Sequence, residues 1–266
     1  MELSFYLVSL LILLGLLSGI VSVIAGIGGG VFFVSIMTLL FLFPINVAVD
    51  TSTFIILFSS LAGFITYLRQ KRTKVRLSLI FAAFSILGSI LSSILFSFVH
   101  VESNVLKIIF AGTLLIAGIN MIYKTLKTNK RTKNQTEEVI VFSLDSHDYK
   151  SNFKKSIPYF ILAGFAANLL GIGGGIINSP SLNIILDFPI HNSTAISTSI
   201  VFFTAIYNTL VKLITGQIDV IVGIIISIGS IFGSIIGAKI SKKMPKFYLK
   251  LFVAVVLIGL AITMFF

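Results

Sequence analysis

The chain has 266 residues, of which 56% are hydrophobic and only 11% charged, and it contains no cysteine. Soluble domains carry about 25% charged residues, so this composition points to a chain that lives in lipid. The lack of cysteine excludes disulfides, thiolate metal sites and a cysteine nucleophile. The net charge of +11 is confined to three polar stretches, which argues against a nucleic-acid-binding surface.

In chain order, residues 3–25 form the first apolar run. No basic residue precedes it, it outlasts a signal-peptide core and it has no clear cleavage site, so a retained helix is expected. The sequence AGIGGGVFFVS (25–35) follows, and then a short apolar segment over 31–43. Further helices are expected at 51–68, 77–99 and 105–123. A long hydrophilic connector ends the first half. Beyond it come 157–170, the run LGIGGGIINSP (170–180), a second short segment at 176–186, and helices at 195–215, 220–238 and 248–266. The longer runs suffice to cross about 30 Å of hydrocarbon, whereas the short segments reach only about halfway.

The two halves repeat one another. Gly26 matches Gly171, and Gly28, Gly29 and Gly30 match Gly173, Gly174 and Gly175. The same offset pairs Pro44 with Pro189 and SILGSI (85–90) with SIFGSI (230–235). AVDTS (48–52) aligns with AISTS (195–199) if a short insertion is allowed. Three units are therefore expected: a first membrane repeat over 1–124, a linker over 125–155 and a second repeat over 156–266.

Residues 69–76, 124–155 and 239–250 hold every lysine and arginine except Lys107 and Lys212. Basic residues collect on cytoplasmic loops, so these stretches, the linker included, are assigned to the cytoplasm and both termini to the outside of the cell membrane. Tracing the chain with that constraint starts the first half outside and the second inside. The expected fold is an all-α polytopic membrane protein made of two inverted-topology repeats. Each is a glycine-tipped re-entrant helical hairpin plus three transmembrane helices. A full crossing by residues 3–25 is the alternative for the first hairpin. Irregular backbone at membrane depth is tolerated only where it is buried in protein or lines a cavity, and inverted repeats with broken helices are a transporter architecture.

The amides that open the second limb of each hairpin lack intrahelical partners and sit at the positive end of a helix dipole. Gly28, Gly29, Gly30 and Val31 in one half, with Gly173, Gly174, Gly175 and Ile176 in the other, are thus candidate ligands for a small anion. Close helix packing is the plain alternative for the glycines. Hydroxyls of Thr51, Ser52, Thr198 and Ser199 are candidate donors to the same anion, against the ordinary habit of bonding their own helix carbonyls. Asn168 and Asn178 flank the second glycine run and either tie helices together or bind the guest. Lys212 is read as snorkelling to the surface and Asp50 as a solvated mouth residue. No paired carboxylates, histidine cluster or Ser-His-Asp set is present, so no enzyme, metal site or cofactor is expected. The glycine runs also lack the Lys-Ser/Thr that ends a phosphate-binding loop.

The doubled motif, GIGGGIINSP with AISTS and GIGGGVFFVS with AVDTS, resembles the sulfite exporter TauE/SafE family of membrane permeases over nearly the whole chain apart from the linker. That resemblance implies a transporter, usually an exporter, of sulfite, sulfoacetate or related organosulfonates. The implied partners are a small anion and the lipid bilayer, with no nucleic acid, and a homodimer is compatible with it. Two departures stand out. Pro180 keeps the proline that often closes the motif, while Ser35 replaces it in the first half. Asp50 stands where a small residue is common, with Ser197 aligned to it. The lack of cysteine argues against a thiosulfate relay.

Overall fold

The computed structural model describes residues 5–98 and 152–243 without a break, together with single residues of 105–123 and 245–262. Most of the expected linker, and the side-chain detail of helices 105–123 and 248–266, lies outside the described residues. The helices are α1 (Phe5–Ala25), α2 (Gly30–Ser35, continued by a π-helical turn Ile36–Leu40), α3 (Ile45–Arg69) and α4 (Val75–Phe98) in the first half. The second half has α5 (Phe153–Leu170), α6 (Gly175–Ile184), α7 (Ile190–Thr215) and α8 (Val220–Ser241). No strand occurs among the described residues. Five helices, α1, α3, α4, α7 and α8, are long and apolar enough to cross a membrane. The chain is an all-α, multi-pass membrane protein.

The 21 residues of α1 span about 31 Å, enough to cross hydrocarbon, as the alternative for the first hairpin requires. The second limbs are short, and both are distorted at matching places. Pro180 removes an amide inside α6, and α2 widens into the π turn just after Ser35. Helices α3 and α7 begin earlier than the apolar pattern suggests. Pro44 and Pro189 act as N-caps with nearly identical backbone angles, φ −53° and ψ 138° and 142°. The polar stretches after them are therefore helical rather than looped.

At the helix crossings small and polar residues are buried, while many bulky apolar ones face outward. On α8, Ile221, Ile224, Ile228, Phe232 and Ile236 are exposed, whereas Gly229, Gly233, Gly237, Ser230 and Ser234 are buried. Lipid is as apolar as leucine, so small faces let backbones approach and gain van der Waals contact there. A Cβ on Gly233 would strike the Leu16 carbonyl, and one on Gly88 would strike the Ile161 carbonyl. Likewise Gly19 lies against Ser230 and Gly164 against Ser85. Each contact in one half thus recurs in the other, at the offset that relates Gly26 to Gly171.

The contacts also give helix directions. Along α1 and α8, Ile12 meets Gly229, Leu16 meets Gly233 and Ile20 meets Gly237, so these two run parallel. Thr51 meets Asp219 and Gln70 meets Ala238, so α3 runs with them. The short turn after Arg69 reverses the chain into α4. Phe81 stacks on Phe160, and Ser93 bonds Asn168, so α5 runs with α4 and against α1.

These close crossings give a stability test. Gly164→Ala should cost about 1–3 kcal/mol through overpacking against Ser85, read as a lower thermal midpoint in detergent. Gly259→Ala, at a position with open space, should leave it unchanged or raise it, because alanine is the better helix former.

Candidate functional site

Both glycine runs need backbone that other residues rarely adopt. Gly26, Gly28 and Gly29 have φ of 67°, 90° and 83°, and Gly171, Gly173 and Gly174 have 63°, 79° and 72°. The left-handed N-caps Gly29 and Gly174 turn the chain sharply into α2 and α6. The amides of Phe32 and Phe33 donate back to Gly29 O at 2.9 and 3.1 Å, and those of Ile177 and Asn178 donate to Gly174 O at 3.1 and 3.0 Å. Gly30, Val31, Gly175 and Ile176 supply the remaining first-turn amides.

The two runs lie directly on each other. A Cβ added to Gly28 would sit 3.4 Å from the Gly173 Cα, and the reverse distance is also 3.4 Å. Gly30 abuts the Gly171 carbonyl, and Gly175 abuts the Gly26 carbonyl. The loops therefore pass antiparallel, backbone on backbone, with no space for a side chain between them. Val31 is fully buried behind this junction, and Val201 touches both central glycines. Hydroxyls clamp the outer carbonyls. Ser52 Oγ donates to Gly171 O at 2.8 Å, while Ser197 Oγ and Ser179 Oγ donate to Gly26 O at 2.6 and 3.0 Å.

That pairing of Ser52 with Ser197 corrects the alignment read from the sequence. No insertion separates the halves at α3 and α7, since Pro44 matches Pro189 and Ser52 matches Ser197 at one constant offset. Asp50 therefore corresponds to Ala195 rather than to Ser197. DTS and STS are alike in composition, but the prolines carry the register.

The other expected ligands are dispersed. Thr51 Oγ1 accepts the Asp219 amide at 2.9 Å, at the far end of α8. Thr198 Oγ1 donates to Thr194 O at 2.9 Å. Ser199 Oγ donates to Ala195 O at 2.9 Å and lies 3.0 Å from Thr73 Oγ1. Asn168 Nδ2 ties α5 to α4 through Ser93 Oγ at 3.0 Å and Ser89 O at 3.4 Å. Asn178 is buried beside the junction, and its side-chain oxygen has no partner.

A polar seal lies to either side of the junction. At one end, Lys212 Nζ pairs with Asp50 Oδ1 at 2.9 Å, with little of either side chain exposed. Asp50 Oδ2 also accepts the Gln217 amide at 3.1 Å, and Gly216 leaves no room for a side chain there. So Lys212 is not snorkelling freely, and Asp50 is not simply solvated. At the other end, the Arg72 guanidinium stacks 4.6 Å over the Tyr67 ring and donates to His191 O at 2.6 Å and to Ser241 Oγ. Burial lowers the Arg72 pKa from its ordinary value, and the Tyr67 hydroxyl opposes that shift. The Tyr67 hydroxyl, Oη, donates to Val23 O at 2.8 Å, just before the first glycine run. Sequence reading missed both seals, because each joins residues far apart in the chain.

The constant register makes a direct comparison. Ser197→Ala removes a clamp on Gly26 O and should cost about 0.5–1.5 kcal/mol of thermal stability. Thr198→Ala removes only a bond within α7 and should cost less.

The family model described as "Sulfite exporter TauE/SafE" matches residues 11–264. The chain is 27% identical over 224 residues to the probable membrane transporter protein YunE of Bacillus subtilis, covering 79% of this chain and 80% of that protein. It is 26% identical over 213 residues to the probable membrane transporter protein YdhB of the same organism, covering 80% and 82%. A third similar protein, the probable membrane transporter protein MJ0441 of Methanocaldococcus jannaschii, is 27% identical over 205 residues, covering 75% and 70%. No solved structure matches the chain. With the match running through both glycine runs and the helices that carry them, this protein belongs to the sulfite exporter TauE/SafE family.

Proposed function

We propose that this protein is a secondary carrier, working as an exporter, for a small sulfur-containing oxyanion such as sulfite or an organosulfonate. The observation that supports this reading best is the junction of two glycine loops, each opening a short helix at a left-handed glycine N-cap, Gly29 in one half and Gly174 in the other. Backbone amides at helix starts stabilise an anion without placing a permanent positive charge in the membrane. In this reading the two halves are inverted repeats, consistent with α5 running against α1, and the Arg72 end faces the cytoplasm with the basic stretches.

Polar seals on both sides of the junction favour a carrier over a channel. The protein passes between states in which one seal opens while the other holds. When the loops part, their amides and the neighbouring Ser52 and Ser197 hydroxyls become available to the guest. An inside-negative potential drives anion exit by about 2.3 kcal/mol per charge per 100 mV, so export needs no coupling ion.

Flux of radiolabelled sulfite, sulfoacetate, sulfate and thiosulfate into proteoliposomes tests the proposal. Saturable flux of a sulfur oxyanion is expected, and flux no greater than in protein-free liposomes for the whole panel would overturn it. Alternation has its own test in a chain without native cysteine. Thr73 and Ser199 have hydroxyls 3.0 Å apart beside the Arg72 seal. A disulfide in the Thr73→Cys/Ser199→Cys pair should abolish sulfoacetate flux until it is reduced, whereas undiminished flux in the oxidised protein would exclude opening at that end.

A further inference from the structure

Beside Gly173 lies a cavity of about 10 Å³, the space that one water fills. It is walled by Thr53, Ile56, Ala167, Thr204, Ala205 and Asn208. Asn208 is 2% exposed, and its side-chain oxygen has no partner in the protein. A buried amide without partners is costly, so one facing a cavity points to a guest that hydrogen-bonds. Its oxygen can only accept, from a water or a proton-bearing guest, while the Nδ2 arm of the same amide is the one that can donate to an oxyanion.

The cavity is also placed against a charge. Thr53 stands three residues after Asp50 on α3, and Asn208 four before Lys212 on α7, so each wall residue is one helical turn from a member of the ion pair. The Lys212–Asp50 bridge therefore lies about one helical turn beyond the cavity, on the side away from Arg72. The matching position in the other half carries no amide. Gly63 takes the place that Asn208 holds in the repeat, and the space a side chain would need is already met by Thr198 and Val23.

We infer that this cavity, roofed by Lys212 and Asp50 and floored by Gly173, is a one-sided subsite for a small oxyanion on its way between the glycine junction and the Lys212 end of the protein. The inference rests on the transport reading. The anion hydrogen-bonds Asn208 and takes the place of Asp50 as the partner of Lys212, and the Asp50 carboxylate swings toward the Gln217 amide it already accepts. The exchange keeps Lys212 paired throughout, so no unpaired cation is left buried. In the closed state the cavity holds no more than a water, so entry requires the roof to lift. Because only one half carries Asn208 and Lys212, the two ends of the pathway differ in anion affinity.

The test uses the full purified chain with a single cysteine in the cavity wall, Ala205→Cys, and follows labelling by N-ethylmaleimide. Neutralising both roof residues with Asp50→Asn and Lys212→Gln should raise the labelling rate about tenfold by shifting the roof toward open. Sodium sulfate or isethionate, against gluconate at equal ionic strength, should slow labelling in the chain that keeps its roof. Adding Asn208→Leu should weaken that protection about tenfold, the worth of one hydrogen bond to a charged guest. Labelling unaffected by the roof substitutions would overturn the cavity as a roofed subsite. Labelling that responds to the roof but to neither anion would overturn its anion chemistry. Protection that survives Asn208→Leu, with the thermal midpoint unchanged, would remove Asn208 from the site. Proteoliposome flux of the native chain separates these failures from failure of the transport reading, since a subsite that is wrong leaves native flux in place.

Discussion

Two stretches of backbone passing with no side chain between them set the terms for the rest of this structure. Gly28 and Gly173 face each other so closely that a Cβ on either would lie 3.4 Å from the other's Cα, and Gly30 and Gly175 each press on a carbonyl of the opposite run. Only glycine permits both the positive φ and the approach. Unsatisfied backbone at membrane depth costs several kcal/mol per group, so the loops survive only because the surrounding helices supply partners. Ser52, Ser179 and Ser197 give hydroxyl donors to the carbonyls at the two ends, and the first turns of α2 and α6 take the inner amides back onto Gly29 and Gly174.

From that junction the fold builds outward by reciprocity. Small-residue faces on α1 and α8 repeat those on α4 and α5, so the same close crossing brackets the junction on both flanks. These interfaces have little hydrophobic driving force, because lipid competes for apolar surface, and their strength comes from contact between backbones and from hydroxyl ties. The reciprocity is broken in the polar seals. Lys212 occupies the place that Tyr67 holds in the first repeat, and Gln217 the place of Arg72. One seal is thus a lysine–carboxylate bridge and the other an arginine held by an aromatic face, a carbonyl and hydroxyls. Breaking a buried ion pair by removing one partner costs about 3–5 kcal/mol, so the Lys212–Asp50 seal is a discrete, closed arrangement rather than a soft one.

Much of this was legible in the sequence for physical reasons. Hydropathy marks the spans because lipid demands it, and the doubled glycine run betrays the repeat because no other residue can fill those positions. Pro44 and Pro189 fix where α3 and α7 begin, as φ-locked N-caps do. The remainder depends on pairing across long sequence distances. Nothing local to Ser197 shows that it reaches Gly26, and nothing local to Asn168 shows that it reaches Ser93. The runs AVDTS and AISTS look alike although their serines stand one helical half-turn out of register, and composition cannot separate a hydroxyl that clamps a loop from one that bonds its own helix.

The contact between Gly28 and Gly173 is directly measurable in lipid. Solid-state NMR of the ¹³Cα-glycine-labelled protein in bilayers reports carbon pairs at this separation. A Gly28–Gly173 Cα–Cα cross-peak is expected, lost when either glycine is replaced by serine. Well-resolved signals from both glycines with no cross-peak between them would contradict the junction and the site built on it.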